Sequence, residues 1–391
     1  MPYHYSTAKR PVGWVGLKRG YKARPLEWLI EKGIFLVSLS AIIIIFLIFL
    51  FVAREAAPVA FGRVDSSYQK VIPLSQLDQM KPAQIMAYLE LSSAQYQSMD
   101  KETLRDLMAV KAEAAAEAPK DKDAQLNTAS WRLMLFPHQW TGYDEPHSIW
   151  QPVSQIKKYN LIPLFIGTLK ATVVALLLAV PLALGAAIYV SQLANPRTKE
   201  WLKPSIELLA GIPSVVLGFF ALIVMATFFQ ALFGYESRLN AFVAGVALGL
   251  AVIPVVFSIA EDALTSVPRS YTQAALALGS SPWQASWRIV LPAALPGVFA
   301  AVVLGFGRAI GETMVVLMAS GNASIVSWNL FDSTRTMTAT IAAELAETVI
   351  GGPHYRILFL IGALLFLAAF ISNMIADIII HRLKARLEGK A

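Results

Sequence analysis

The chain has 391 residues, of which 56% are hydrophobic and only 15% charged, with a mean hydropathy of +0.55. A soluble domain carries about 25% charged residues, so this composition excludes an ordinary water-soluble globule. The net charge of +7 comes with no basic face interleaved with aromatics in the polar segments, which speaks against nucleic acid, and the lack of cysteine excludes disulfides and thiolate metal sites.

Residues 1–32 form a basic tail. Lys9, Arg10, Lys18, Arg19, Lys22, Arg24 and Lys32 outnumber Glu27 and Glu31, and Tyr3, Tyr5, Trp14, Tyr21 and Trp28 lie among them. Such a tail beside a span rests on an anionic inner leaflet and keeps the N-terminus cytoplasmic. The plainer reading is a topology signal with no other role. Gly33 to Val52 is long enough to cross a bilayer core and longer than a signal-peptide core. It reads as an uncleaved signal anchor. Residues 53–160 are polar, nearly balanced in charge, and expected outside. Within them Leu74 to Leu91 reads as a helix with Ser75 as N-cap. A second helix starts at the N-cap Asp100 and ends at Ala118 before Pro119. Lys120 to Asp123 reads as a solvated turn, and the aromatic stretch Trp131 to Trp150 as packing on the outer mouth. This insertion is either a decoration without chemistry or a docking surface for a solute-binding protein.

Five further spans are expected within residues 161–380. They are Leu161–Leu193, Pro204–Phe233 with Gly211-Ile212-Pro213-Ser214 inside it, Leu239–Ile259, Pro292–Ala319 and Arg356–Ile380. Asn195 to Lys199 is a short basic inner loop. Ser320 to Tyr355 joins the last two spans outside, as a helix or half-inserted segment ended by Gly351-Gly352-Pro353. Residues 381–391 form a second basic tail, carrying Arg382, Lys384, Arg386 and Lys390. Six spans put both basic termini on one side, consistent with positive-inside topology. Gly245-x-x-x-Gly249 reads as helix packing.

The chemistry concentrates between Glu261 and Asn322. Residues 261–288 leave the membrane as a polar, helix-prone loop, and the next span carries two charges. Arg308 is expected 12–16 residues inside that span, roughly 18–24 Å of rise from its start and thus near mid-bilayer. A charge there costs about 3 kcal/mol on insertion scales, so it needs polar surroundings. Glu312 is four residues on, which on a helix is the same face. The pair is either a salt bridge that locks helices together, or a site in which Arg308 lines the solute path and Glu312 restrains it. A guanidinium fork matches tetrahedral oxyanions.

Gln273-Ala274-Ala275, three residues, Gly279, nine residues, then Ile289-Val290-Leu291-Pro292 resembles the EAA loop of ABC importer permeases, with Gln273 standing where the family usually has Glu. Arg308-Ala309-Ile310-Gly311-Glu312-Thr313-Met314, running on to Gly321-Asn322, is similar to the phosphate-specific importer permeases, and closer to their C subunit (PstC-type) than to its A partner. The resemblance covers roughly residues 161–380. It implies an all-α integral membrane fold of six transmembrane helices of the type I importer kind. It also implies a bacterial inner-membrane location. Gln273, Ala274, Ala275, Gly279, Pro282, Leu291 and Pro292 would form the ATPase-coupling loop, and Arg308 and Glu312 the substrate path.

The implied partners are a second permease subunit (PstA-type), two ATP-binding subunits, a periplasmic or lipid-anchored phosphate-binding protein, and membrane lipid. No cofactor is expected in this chain, since ATP-Mg would be bound by the partner ATPase. No Gly-x-x-x-x-Gly-Lys-Ser/Thr motif occurs, and His4, His138, His147, His354 and His381 lack ligand spacing. Gly305-Phe306-Gly307-x-x-x-Gly311 has the wrong spacing for a dinucleotide site. Two other readings stay open: the same architecture for sulfate, molybdate or phosphonate, and an ATP-independent carrier or channel.

Overall fold

The computed structural model describes residues 25–64, 81–89, 91, 93–117, 122–154 and 156–387. Among these, six helical runs are long and apolar enough to cross a membrane: Leu29–Ala60, Ile162–Leu193, Ser214–Phe233, Ala241–Thr265, Pro282–Gly311 and Pro353–Leu383. The number matches the expectation, but several boundaries do not. The N-terminal tail to Arg24, residues 74–80 of the first expected external helix with Ser75, Ala118 to Asp121, and the last four residues lie outside the described residues.

The chain divides into two units, residues 1–51 and 52–391. The first is described from Pro25. It is the opening of helix α1 (Pro25–Ala60), whose residues from Leu29 to Phe51 are almost all exposed and apolar. This suits a segment surrounded by lipid, where apolar exposure carries no penalty. α1 runs past Val52, so residues 53–60 are helical.

The second unit begins, after the end of α1, with a region of short elements. These are α2 (Pro82–Leu89), α3 (Ser93–Ser98), α4 (Lys101–Glu117) and α5 (Trp131–Leu135), followed by a two-stranded antiparallel ladder of β1 (Trp150–Gln151) and β2 (Lys158–Tyr159). The ladder is a small exception to an all-helical chain. Asp100 caps α4 as expected, its Oδ1 accepting the Thr103 amide at 3.0 Å. Ile85, Tyr88, Leu104 and Met108 form a small apolar cluster. Asp123 is buried and accepts from the Thr141 amide at 2.6 Å and its hydroxyl at 3.0 Å. Burial pushes its carboxyl up, but the Thr141 and His138 hydrogen bonds more than offset that and hold it below the usual carboxylate range. Trp131 is half-buried, its indole donating to Ala60 O at 2.9 Å.

The transmembrane core is α6 (Ile162–Ile188, continued by a π turn at Tyr189–Leu193), α8 (Ser214–Phe220), α9 (Ala226–Phe233), α10 (Ala241–Thr265), α13 (Leu291–Gly311), α14 (Met314–Ala319) and α16 (Pro353–Leu387). A π turn at Ala221–Met225 joins α8 to α9. α10 is the central element, packed on α6 and α13. Small residues set the approach. A Cβ on Gly245 would meet Val174 Cβ at 2.5 Å, one on Gly249 would meet Ala175 O at 3.1 Å, and one on Gly305 would meet Val256 Cγ2 at 2.5 Å. Gly245, Gly249 and Gly305 therefore serve helix packing, whereas nothing lies within 4 Å of where a Cβ on Gly307 or Gly311 would be.

Boundaries also move within the core. Pro204 does not open the third span. It lies in a separate polar helix, α7 (Pro196–Leu208), capped by Asn195. Leu209–Gly211 and the extended Ile212-Pro213 then break the chain before α8. The fourth span runs on to Thr265 and takes in Glu261. The fifth begins ten residues before Pro292, at Pro282, where Ser281 and Gln284 form a capping box. A π turn at Ser286–Val290 precedes Pro292, which has no amide to donate, so the helical run continues through it.

Candidate functional site

One end of the second unit carries the loop between α10 and α13. Its helix α11 spans Arg269–Ala277, and α12 is Pro282–Ala285. α11 ends in a Schellman motif: the Gly279 amide donates to Leu276 O at 2.9 Å and the Ser280 amide to Ala275 O at 3.1 Å. Gly279 has φ +87, which explains glycine at this position, and nothing lies within 4 Å of where its Cβ would be. Gln273, Ala274, Gly279 and Pro282 are exposed, as is Leu278 at 89%. Ala275 is buried and seats α11 on its own chain. Leu291 is half-buried against the core, and Pro292 is exposed at the root of α13. Of the seven expected loop residues, five are thus exposed, Leu291 is half-buried and Ala275 is buried. Trp283 and Trp287 stack beside it at 5.9 Å and are exposed.

The same end holds a group that the sequence reading missed. Glu261, 1% exposed, accepts from Lys199 Nζ at 2.8 Å, Lys203 Nζ at 2.7 Å and Thr265 Oγ1 at 3.0 Å. Lys203 also lies 3.6 Å from Asp262. The hydrogen bond to Glu261 raises the Lys203 ammonium above its usual value, against the opposing effect of burial. This interaction is present at neutral pH and is lost only as the pH rises through that raised value. The signal was a glutamate among apolar residues within reach of a helix carrying lysines four apart. Its partners are about sixty positions away, beyond any local pattern.

Arg308 and Glu312 are not brought together as an i,i+4 pair. α13 stops at Gly311, and Glu312 takes an extended conformation, φ −70 and ψ 132. Glu312 Oε1 accepts the amides of Thr313 at 3.1 Å and Met314 at 3.3 Å, so its carboxylate caps α14. Thr338 Oγ1 donates to Glu312 O at 2.9 Å and anchors the break. Arg308 sits in the last turn of α13, exposed on the chain taken alone, with its Nε donating to Ala251 O at 3.4 Å. Because the helical run starts at Pro282, Arg308 is about 39 Å of rise from that start, farther along than expected. Another cation inside a span, Lys170, is buried and donates to Asn329 O at 3.0 Å, so it is committed to the loop at the opposite end. That end is also tied by Glu344, which accepts from Arg335 at 2.8 Å, His354 at 3.2 Å and the Trp150 indole at 3.1 Å.

Six helical runs long and apolar enough to cross a membrane, with an exposed helical loop between the fourth and the fifth, define a multi-pass membrane protein. A profile of the family described as "Binding-protein-dependent transport system inner membrane component" matches residues 179–389. The chain is 35% identical over 223 residues to "Probable ABC transporter permease protein YqgH" of Bacillus subtilis, covering 57% of this chain and 72% of that one. It is 33% identical over 256 residues to "Phosphate transport system permease protein PstC" of Mesorhizobium japonicum, covering 61% and 77%. A solved structure of the MetNI methionine ABC transporter in an inward facing conformation aligns with 57% of this chain and 95% of its own, at 18% identity and a TM-score of 0.45. The chain belongs to the family of binding-protein-dependent transport system inner membrane components. It is an integral, multi-pass permease subunit of an ABC importer and not a catalytic one.

Proposed function

We propose that the chain is the PstC-type permease of an importer that carries inorganic phosphate into the cytoplasm, driven by ATP hydrolysis on separate subunits. The observation that carries this reading is Arg308: it is exposed on the chain taken alone, no carboxylate pairs with it among the described residues, and it sits at a helix break inside the permease core. Such a guanidinium is free to offer its fork to a tetrahedral oxyanion. The phosphate-transport names of several relatives favour phosphate among oxyanions. Glu312 belongs to the same path as the residue that fixes the break behind Arg308.

The exposed surface of α11, with Gln273, Ala274 and Gly279, docks on an ATP-binding subunit, while Ala275, Pro282, Leu291 and Pro292 hold the loop to the fifth span. The further partners are a second, PstA-type permease, a second ATP-binding subunit and a phosphate-binding protein. In this reading both termini are cytoplasmic and the region from Phe61 to Asn160 faces outward. The second reading keeps the architecture and exchanges phosphate for sulfate, molybdate or phosphonate. Uptake of phosphate against sulfate by the reconstituted complex in vesicles separates the two. Sulfate uptake without phosphate uptake refutes the first.

A further inference from the structure

We propose that Glu261 is a positioning residue for coupling: it latches α7 to the root of α11, so that a displacement of α11 is passed to the break ahead of the third span. This inference rests on the reading of α11 as the coupling helix.

The carboxylate is nearly inaccessible, yet every partner it has is ionic or a hydroxyl: Lys199 at 2.8 Å, Lys203 at 2.7 Å and Thr265 at 3.0 Å. Burying a charge is costly unless it is paired, and apolar residues often serve stability as well or better. Stability alone therefore gives little reason for an ion cluster here. What the cluster does is connect elements. Its lysines are on α7, which has no fully buried residue and rests on the core through the half-buried Leu202 and Ile206. Its acid is on the last turn and a half of α10, and only Ser266, Val267 and Pro268 separate α10 from α11.

A second tether reaches the same root. Gln192 Nε2, in the π turn that leads into α7, donates to Leu264 O at 3.2 Å. The far end of α7 runs into Leu209–Gly211 and the extended Ile212-Pro213, where a Cβ on Gly211 would meet nothing within 4 Å. The root of α11 is thus bonded to an element whose other end is an open bend before α8. α8 in turn packs on α14, the short helix that Glu312 caps just beyond Arg308. A rigid latch at Glu261 gives a continuous set of contacts from the exposed loop to that break.

The test uses the whole complex, with its ATP-binding subunits and binding protein, in liposomes. Complex yield and the ratio of phosphate imported to ATP hydrolysed are measured for Glu261→Gln and for the triple variant Glu261→Gln/Lys199→Gln/Lys203→Gln. The triple variant leaves no unmatched buried charge, so it restores whatever stability the single change removes. The expected result is an assembled triple variant whose import per ATP falls about tenfold or more, within the roughly 5–150-fold range of coupling between two sites. An assembled triple variant with a normal ratio overturns the latch. Failure of the triple variant to assemble also overturns it, because the cluster would then be a requirement of folding. Gly279→Trp separates the two readings: if it also leaves the ratio unchanged, α11 is not the coupling helix. If it uncouples while the triple variant is normal, only the latch fails.

Discussion

Arg308 makes one long hydrogen bond, to Ala251 O at 3.4 Å, and is exposed on the chain taken alone. Removing its charge therefore breaks little inside the chain. Arg308→Gln is expected to leave the complex assembled and to cut phosphate uptake about tenfold or more, since a charge-assisted fork is lost. Arg308→Lys should rescue poorly, because a point charge on a flexible stem does not reproduce the fork. Near-normal uptake by an assembled Arg308→Gln complex would end the assignment. Glu312 behaves differently because its carboxylate serves two backbone amides. Glu312→Gln keeps an acceptor and should be mild, whereas Glu312→Ala should cost about 1 kcal/mol, as loss of a helix cap does. With no hydrogen bond or ion pair between the two residues and different partners for each, the Arg308→Gln/Glu312→Gln cycle in thermal melts should be additive within about 0.5 kcal/mol. A coupling well above that would restore the salt-bridge lock that the helix break argues against.

Among the elements, α11 depends on a left-handed glycine and the α10–α13 contact on a missing Cβ. Gly279→Trp strains the Schellman turn and places bulk on the exposed surface, so ATP hydrolysis should continue without transport. Normal transport by this variant would remove α11 from the coupling role. Gly305→Ala would put a Cβ 2.5 Å from Val256 Cγ2, and overpacking of this kind costs about 1–3 kcal/mol. Val256→Ala removes that methyl and should return most of the lost melting temperature. If it does not, the close approach is not what requires Gly305. The spans and the loop were legible because apolar runs and the Gln273-to-Pro292 spacing are local signals. The edges that moved are those where tertiary context decides. α7 is a polar helix whose lysines answer an acid nearly sixty positions away, and Pro292 is carried inside a helical run by a π turn just before it. The Arg308–Glu312 spacing misled because an i,i+4 rule assumes an unbroken helix. Gly311 at the helix end was the available stop signal. Glu261 had no local signal beyond being one of two adjacent acids, with Asp262, between Ala260 and Ala263.

For the molecule as a whole, alternating spans fix which segments share an end, and the contacts agree. Lys199 and Lys203 meet Glu261 at the end bearing α11. At the other end Trp150 meets Glu344, and the Ala241 amide donates to Asp332 O at 3.2 Å. Three spans, α6, the α8–α9 run and α10, separate Val153 from Ser270, so the two positions must lie on opposite sides of the bilayer. The protein contains no cysteine, so a single introduced thiol reports its own side without background. Val153 is 92% exposed and Ser270 is exposed, so neither change disturbs the core. An impermeant maleimide applied to cells with a permeabilised outer membrane should label Val153→Cys and spare Ser270→Cys. Inverted vesicles stripped of peripheral subunits should give the reverse. Labelling of both from one side would contradict the three-span separation and with it the fold. Labelling of Val153→Cys only in inverted vesicles would leave the fold intact but turn the molecule over, placing α11 outside, where no ATP-binding subunit could reach it.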